Sequence, residues 1–239
     1  MLLGAIDWAG IHRLRAKLER CNTASLQTAA QDFASLFVDE FESVVLARVF
    51  AVLPLALLPA TEREYAAKFV ANDPRLGPQT SVLSLLGTRG REPGWNNRAA
   101  SRGHLAIPLI DRSFVHGAPM IAKLLADLEV DLKKLDDGAP IATRHMLGGR
   151  NGTFYVPDAQ VSKDDHGRNI IASREFVHAQ HVRTVFGMGG AYLDGRLIVA
   201  IVFTSELLDR VAVDRYPSLI STFKAATAQV QTEGLIFPP

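Results

Sequence analysis

Five arginines crowd one stretch of this chain. Between Arg89 and Arg112 stand Arg89, Arg91, Arg98, Arg102 and Arg112, opposed only by Glu92 and Asp111, with no lysine among them. A guanidinium is a rigid planar fork that grips a carboxylate or phosphate through parallel hydrogen bonds. Trp95 adds a flat apolar face that can stack on a planar ligand or on a guanidinium. Gly87 to Gly103 has no apolar period and reads as a loop, and long irregular loops in compact domains are usually functional. The chemistry this predicts is recognition of a small ligand, or of a partner, by Trp95, Asn96, Arg98, Arg102 and His104. The alternative is an arginine-rich loop that pins itself to backbone carbonyls and nearby acids.

The remaining reactive residues form weaker patterns. His178 and His181 are three apart, a spacing that suits a helix face, but the flanking Glu175-Phe176-Val177 and Val182-Arg183-Thr184 read as strand or loop, where odd offsets point to opposite faces. His104, His116, His145 and His166 sit on separate segments, so a zinc or haem site is not expected and no cofactor is assigned. Gly187-Met188-Gly189-Gly190 looks like a phosphate loop, yet such loops open a helix and here a strand follows, so a bulge or bend is expected. Cys21 lies beside Arg20 at a helix boundary with no histidine nearby in sequence, and packing is its expected role. Asp158, Asp164, Asp165 and His166 imitate an acid–base cluster within a turn-rich stretch that reads as a solvated loop. An enzyme using histidine or aspartate as acid–base groups remains an alternative, as does a protein-interaction module; no catalytic residue is assigned.

The elements that must position these residues follow from periodicity. Trp8, Ile11, Leu14 and Leu18 form one helical stripe, and a second helix, capped by Asn22 or Thr23, buries Leu26, Ala30, Phe33 and Phe37. Glu42 to Val52 reads as a central strand, apolar on both faces. Thr61-Glu62-Arg63-Glu64 reads as a capping box opening a helix with Tyr65 and Phe69, stopped by Asn72-Asp73-Pro74. Strands are predicted at Ser81 to Leu86, His104 to Ile110 and Thr153 to Val156, a helix at Ile121 to Val130, and turns from Asp136 to Gly152. Val182, Val185 and Phe186 begin a hairpin whose second strand is Leu197 to Phe203, with Asp194-Gly195 as a turn pair at positive φ. A last helix carries Tyr216, Leu219, Ile220, Phe223 and Val230 on one face. This order predicts an α+β fold with a mostly antiparallel sheet flanked by helices: a single domain over 1–239, with 1–40 a helical extension on a 41–239 core.

Composition narrows the setting. At 239 residues and 48% hydrophobic, the chain can bury a core without disulfide or metal staples. Its formal charge of +1 argues against nucleic acid and against a polybasic membrane anchor. One cysteine favours a reducing, cytoplasmic location, and the opening MLLGAIDWAG lacks the basic start of a signal peptide. The apolar run from Val44 to Leu58 is interrupted by Arg48 and Pro54 and is too short to span a bilayer.

The hairpin and closing helix are similar to the end of GAF and PAS sensory domains. The run Glu92-Pro93-Gly94-Trp95-Asn96-Asn97-Arg98, continuing through Ser101-Arg102-Gly103-His104 to Ala106-Ile107-Pro108-Leu109, resembles a stretch in sensory regions attached to bacterial histidine kinases. So do Ala118-Pro119-Met120-Ile121, Phe176-Val177 and Phe186-Gly187-Met188-Gly189-Gly190. The chain departs from that pattern in having no phosphoacceptor helix, ATP-binding motif or receiver-like acidic cluster, and Ala99 and Ala100 stand where arginines are expected. The resemblance implies a free-standing GAF/PAS-like sensory module. It would bind a small ligand of unknown identity, act on a histidine kinase or response regulator in trans, and form a homodimer through its terminal helix.

Overall fold

A computed structural model describes residues 1–136 and 151–238. The predicted turns between Asp136 and Gly152, and His145 with them, fall almost wholly outside these residues. Two helices open the chain, α1 (Trp8–Leu18) and α2 (Leu26–Glu40), followed by strand β1 (Val44–Pro54), helix α3 (Ala60–Phe69) and strands β2 (Ser81–Gly90) and β3 (Ala106–Pro108). Short helices α4 (Arg112–Gly117), α5 (Pro119–Asp127) and α6 (Lys133–Asp136) lead to β4 (Gly152–Val156) and α7 (Arg174–Ala179). The hairpin β5 (Thr184–Ala191) and β6 (Leu197–Thr204), then α8 (Arg210–Val213) and α9 (Pro217–Thr232), complete it. The strands form one six-stranded sheet in the order β3-β2-β1-β6-β5-β4, with every pairing antiparallel. This is the α+β class expected, and β1 is central as its two apolar faces require.

Each face of the sheet carries its own core. On the helical face, Ile11, Leu14 and Leu18 of α1, Phe33 and Phe37 of α2 and Leu219, Ile220 and Phe223 of α9 pack on Val49, Ala51, Phe186 and Val202. Phe33 and Phe223 stack at 5.0 Å, while Tyr216 meets Phe186 at 5.1 Å and donates from its hydroxyl to the Leu3 carbonyl at 2.8 Å. The apolar stripes of α1 and α9 meet within the chain, and Arg15 Nε donates to Thr222 Oγ1 at 2.9 Å beside them. Glu206 fastens the N-terminal residues by accepting from the backbone N–H groups of Leu3 (2.6 Å) and Gly4 (2.9 Å) and from the Ser43 hydroxyl. The opposite face buries Leu46, Phe50, Val52, Leu83, Leu85, Leu124, Leu125, Val199 and Ile201.

Several expectations are corrected. Trp8 heads the α1 stripe but is 62% exposed, because it stands at the first helical position beyond the core. The cap of α2 is Ser25, whose hydroxyl accepts from the Thr28 N–H, and not Asn22 or Thr23. The helix α3 starts at Ala60 after Pro59, so Thr61 and Glu62 lie inside its first turn and form no capping box. Strand β2 runs on to Gly90, into residues expected to be loop. The segment around His178 is the helix α7, not strand or loop. Gly187 to Gly190 keep an unbroken register within β5. The bare glycines make room: a Cβ would lie 2.8 Å from the Ala200 carbonyl at Gly187 and 2.8 Å from Leu128 Cδ1 at Gly189. The hairpin turn is a three-residue loop in which Tyr192 and Arg196 bond and only Gly195, at φ 86°, is left-handed. Among the described residues no helix is long and apolar enough to cross a membrane.

Candidate functional site

The face of the sheet opposite α1, α2 and α9 positions the arginine-rich segment. Antiparallel register places Leu46, Arg48 and Phe50 of β1 beside Gly90, Thr88 and Leu85 of β2, so these residues share that face. After Gly90 the chain turns back over them through single 3-10 turns at Pro93–Trp95 and Arg98–Ala100. Gly90 is what allows the close return, since a Cβ there would lie 2.7 Å from the Trp95 ring. The indole meets Phe176 edge to face at 5.5 Å, and Phe176 meets Phe203 in the same way at 5.5 Å. Trp95 is thus a half-buried cover anchored through α7 to β6. Trp95→Ala is expected to cost about 2 kcal/mol, below the full-burial range because part of the ring is already in solvent. Urea denaturation checks this, and an unchanged midpoint would show that the cover is not held by the ring.

The predicted site residues diverge in what they do. Asn96 Oδ1 accepts from the Gly90 N–H at 2.8 Å, and the Thr88 hydroxyl donates to the Trp95 carbonyl at 2.9 Å, which fixes the return of the chain. Arg98 donates from Nε to the Leu85 carbonyl at 2.7 Å and from Nη1 to Glu62 at 2.6 Å, with its guanidinium 5.5 Å from the Phe237 ring. The short strand β3 leaves that part of the β2 edge uncovered, and Arg98 supplies the missing donor. Arg91 likewise donates to the Glu42 and Val44 carbonyls at 2.7 and 3.2 Å. Arg102 and His104 are exposed at the rim, where His104 Nδ1 lies 3.1 Å from the Arg102 carbonyl. The structure therefore brings Trp95 and Asn96 together over the sheet, and spends Arg91 and Arg98 on carbonyls and an acid.

Electrostatics set His104 apart. Lost solvation, and then the positive charge of Arg48, push its pKa down to about 4, opposed in part by the hydrogen bond to the Arg102 carbonyl. The imidazole is neutral at neutral pH. Because its folded pKa lies below the unfolded value, its contribution to stability is complete above that value and lost as pH falls toward the folded one.

Arg48 is absent from the residues predicted for recognition, standing out in the sequence only as an interruption of an apolar run. It stands mid-way along β1, opposite Thr88 on one side and Ile201 on the other. Its Nε is fully buried with no hydrogen-bond partner, and burial lowers its pKa to about 10, with Tyr65 opposing that shift. A charge within an otherwise apolar central strand was the signal that could have found it.

The other reactive clusters are engaged in the fold. Asp158 pairs with Arg183 at 3.0 Å, Asp164 with Arg168 at 2.7 Å, and His178 Nε2 lies 3.0 Å from Arg174. Among the described residues no three His, Cys, Asp or Glu side chains gather as metal ligands would.

No protein-family model matches the chain, and no curated protein does. Solved structures similar to it include a free methionine-R-sulfoxide reductase from Neisseria meningitidis in complex with its substrate, at 11% identity, covering 96% of this chain and 95% of that one, with a TM-score of 0.48. The GAF domain of an Acinetobacter phosphoenolpyruvate-protein phosphotransferase is 10% identical, over 93% and 92% of the two chains, at 0.46. The phycocyanobilin-bound GAF domain of a cyanobacterial phytochrome is 10% identical, over 96% and 98%, also at 0.46. At this identity and superposition, the likeness brings neither an activity nor a ligand to this chain.

Proposed function

We propose that this chain is a GAF-like sensory module that binds a small ligand on the sheet face beneath the Trp95–His104 segment and reports occupancy through its C-terminal tail. One observation carries the reading: Arg98 ties the covering segment to the β2 edge, to Glu62 of α3 and to Phe237 near the chain's end. The same tail is held to the start of α2, where the N–H groups of Leu26 and Gln27 donate to the Leu235 and Ile236 carbonyls at 2.9 and 2.8 Å. A ligand that lifts or tightens the cover would therefore change the restraint on the tail and on α2 together. On this reading Trp95, Asn96, Arg98, Arg102 and His104 frame the site, with Arg98 the link to the tail. The module works in the cytoplasm as a homodimer, and a histidine kinase or response regulator reads it in trans.

Native mass spectrometry of protein purified from its own cells tests this. The expected spectrum carries a mass excess that denaturation removes. Hydrogen exchange of the stripped protein is expected to be faster both over residues 91–105 and over residues 233–238. A spectrum with no excess mass, or exchange that changes in the cover and not in the tail, would refute the reading.

A further inference from the structure

Resting on that ligand-binding reading, we infer that the ligand is a small monocarboxylate and that Arg48 holds its carboxylate group. A guanidinium in the middle of the central strand is an unusual use of a core position, since a desolvated charge without a partner costs stability. Among the described residues Arg48 nevertheless has no hydrogen-bond or ion-pair partner, and its Nε is closed off from water. Leu46 and Phe50 on the same strand and Ile201 opposite it on β6 belong to the apolar core of this face and offer the head no hydrogen-bond partner. A planar group that accepts two parallel hydrogen bonds completes such a fork.

Charge selects a monoanion. The arginines of the covering segment that reach inward are already committed, Arg91 to the Glu42 and Val44 carbonyls and Arg98 to Glu62 and Leu85. His104, which feels the Arg48 charge, is held neutral and adds a hydrogen-bonding edge and no second cation. Arg89, whose Nε is also unpartnered, pairs with Ala47 on the opposite face, and Arg102 stands in solvent at the rim. Beneath the cover, the one guanidinium without a partner among the described residues therefore balances a carboxylate and leaves a phosphate dianion in excess. The Trp95 ring, part of it open, supplies an apolar face for the rest of the molecule.

The test uses the full chain with acetate, benzoate and indole-3-acetate as probes, inorganic phosphate as the competing anion, and sodium chloride at matched ionic strength. Melting temperature and Trp95 fluorescence are read for the wild type, Arg48→Gln and Arg48→Met. The proposal expects at least one carboxylate to raise the wild-type melting temperature above the chloride control, and apparent affinity to fall at least tenfold in Arg48→Gln. It also expects ligand-free Arg48→Met to melt no lower than wild type, because the protein itself gives the guanidinium no partner to lose. A clear drop for Arg48→Met would make the residue structural and overturn the proposal. So would a phosphate response exceeding that of every carboxylate, or no response to any probe. A probe that shifts Trp95 fluorescence equally in wild type and Arg48→Gln would remove Arg48 from the site while leaving ligand binding beneath the cover intact. A native spectrum without excess mass, as described above, would refute that binding itself.

Discussion

Gly87→Ala is expected to lower stability by about 3 kcal/mol or more, the upper range for overpacking. An added Cβ would lie 2.2 Å from the Ala30 carbonyl oxygen, 2.4 Å from its carbon and 2.7 Å from the Gln31 nitrogen. All three are backbone atoms of α2, so no side chain can swing aside, and either the helix lifts or the strand bends. The contact is fixed from both sides. Register between β1 and β2 shifts between Val49 and Phe50, which turns Gly87 inward. Beside the shift, the Gln31 amide donates to the Thr88 carbonyl at 2.9 Å and accepts from the Thr88 N–H at 3.1 Å. Lifting α2 breaks both bonds and opens the Phe33–Phe37 core. Urea denaturation beside a Gly94→Ala control, where nothing lies within 4 Å of the added carbon, makes the comparison. Equal midpoints for the two variants would show that α2 is not seated on β2 as described.

Gly87 also shows why the sequence announced some elements and concealed others. The helices α1, α2 and α9 bury one face with a period of 3.6, and the strands β1, β5 and β6 are apolar runs buried on both faces; both signals are local. The end of β2 has no such signal. Gly87, Thr88, Arg89 and Gly90 read as loop because glycine weakens a strand, yet here Gly87 admits α2 and Gly90 admits Trp95. Tertiary contact decided those four residues. It also decided α7, a six-residue turn of helix whose Phe176 bridges Trp95 and Phe203. Propensity alone cannot place so short an element.

The candidate site was legible in part for the same reason. Trp95 and Asn96 stand out by composition, and their contacts with Gly90 span only five or six residues. The fate of Arg98 is settled by Glu62, 36 positions earlier, and by Phe237 at the far end of the chain. No local pattern reports such a meeting. The unpartnered guanidinium on that face of the sheet is instead Arg48, visible in the sequence as a break in an apolar run whose meaning depends on what surrounds it.

Arg98→Ala is expected to cost about 3–5 kcal/mol at neutral pH, the range for removing one partner of a buried ion pair. Both side chains qualify, with Arg98 13% and Glu62 4% exposed. In the wild type, burial raises the Glu62 pKa, but the Thr61 hydroxyl and the hydrogen bond and charge of Arg98 outweigh it and leave the carboxyl below its usual value. The folded pKa is depressed, so the pair contributes fully above the unfolded value and its contribution fades as pH falls through the folded one. Without Arg98 burial dominates and the sign reverses. Glu62 then titrates above its unfolded value, and protonation on acidification relieves the buried charge. The gap between variant and wild type should therefore narrow from pH 7 to pH 5, and Glu62→Gln added to Arg98→Ala should recover most of the loss at pH 7. Urea midpoints at the two pH values decide it. A gap that is the same at both, with no recovery in the double variant, would mean that Glu62 is not held charged in the interior and that Arg98 is free to serve a ligand instead.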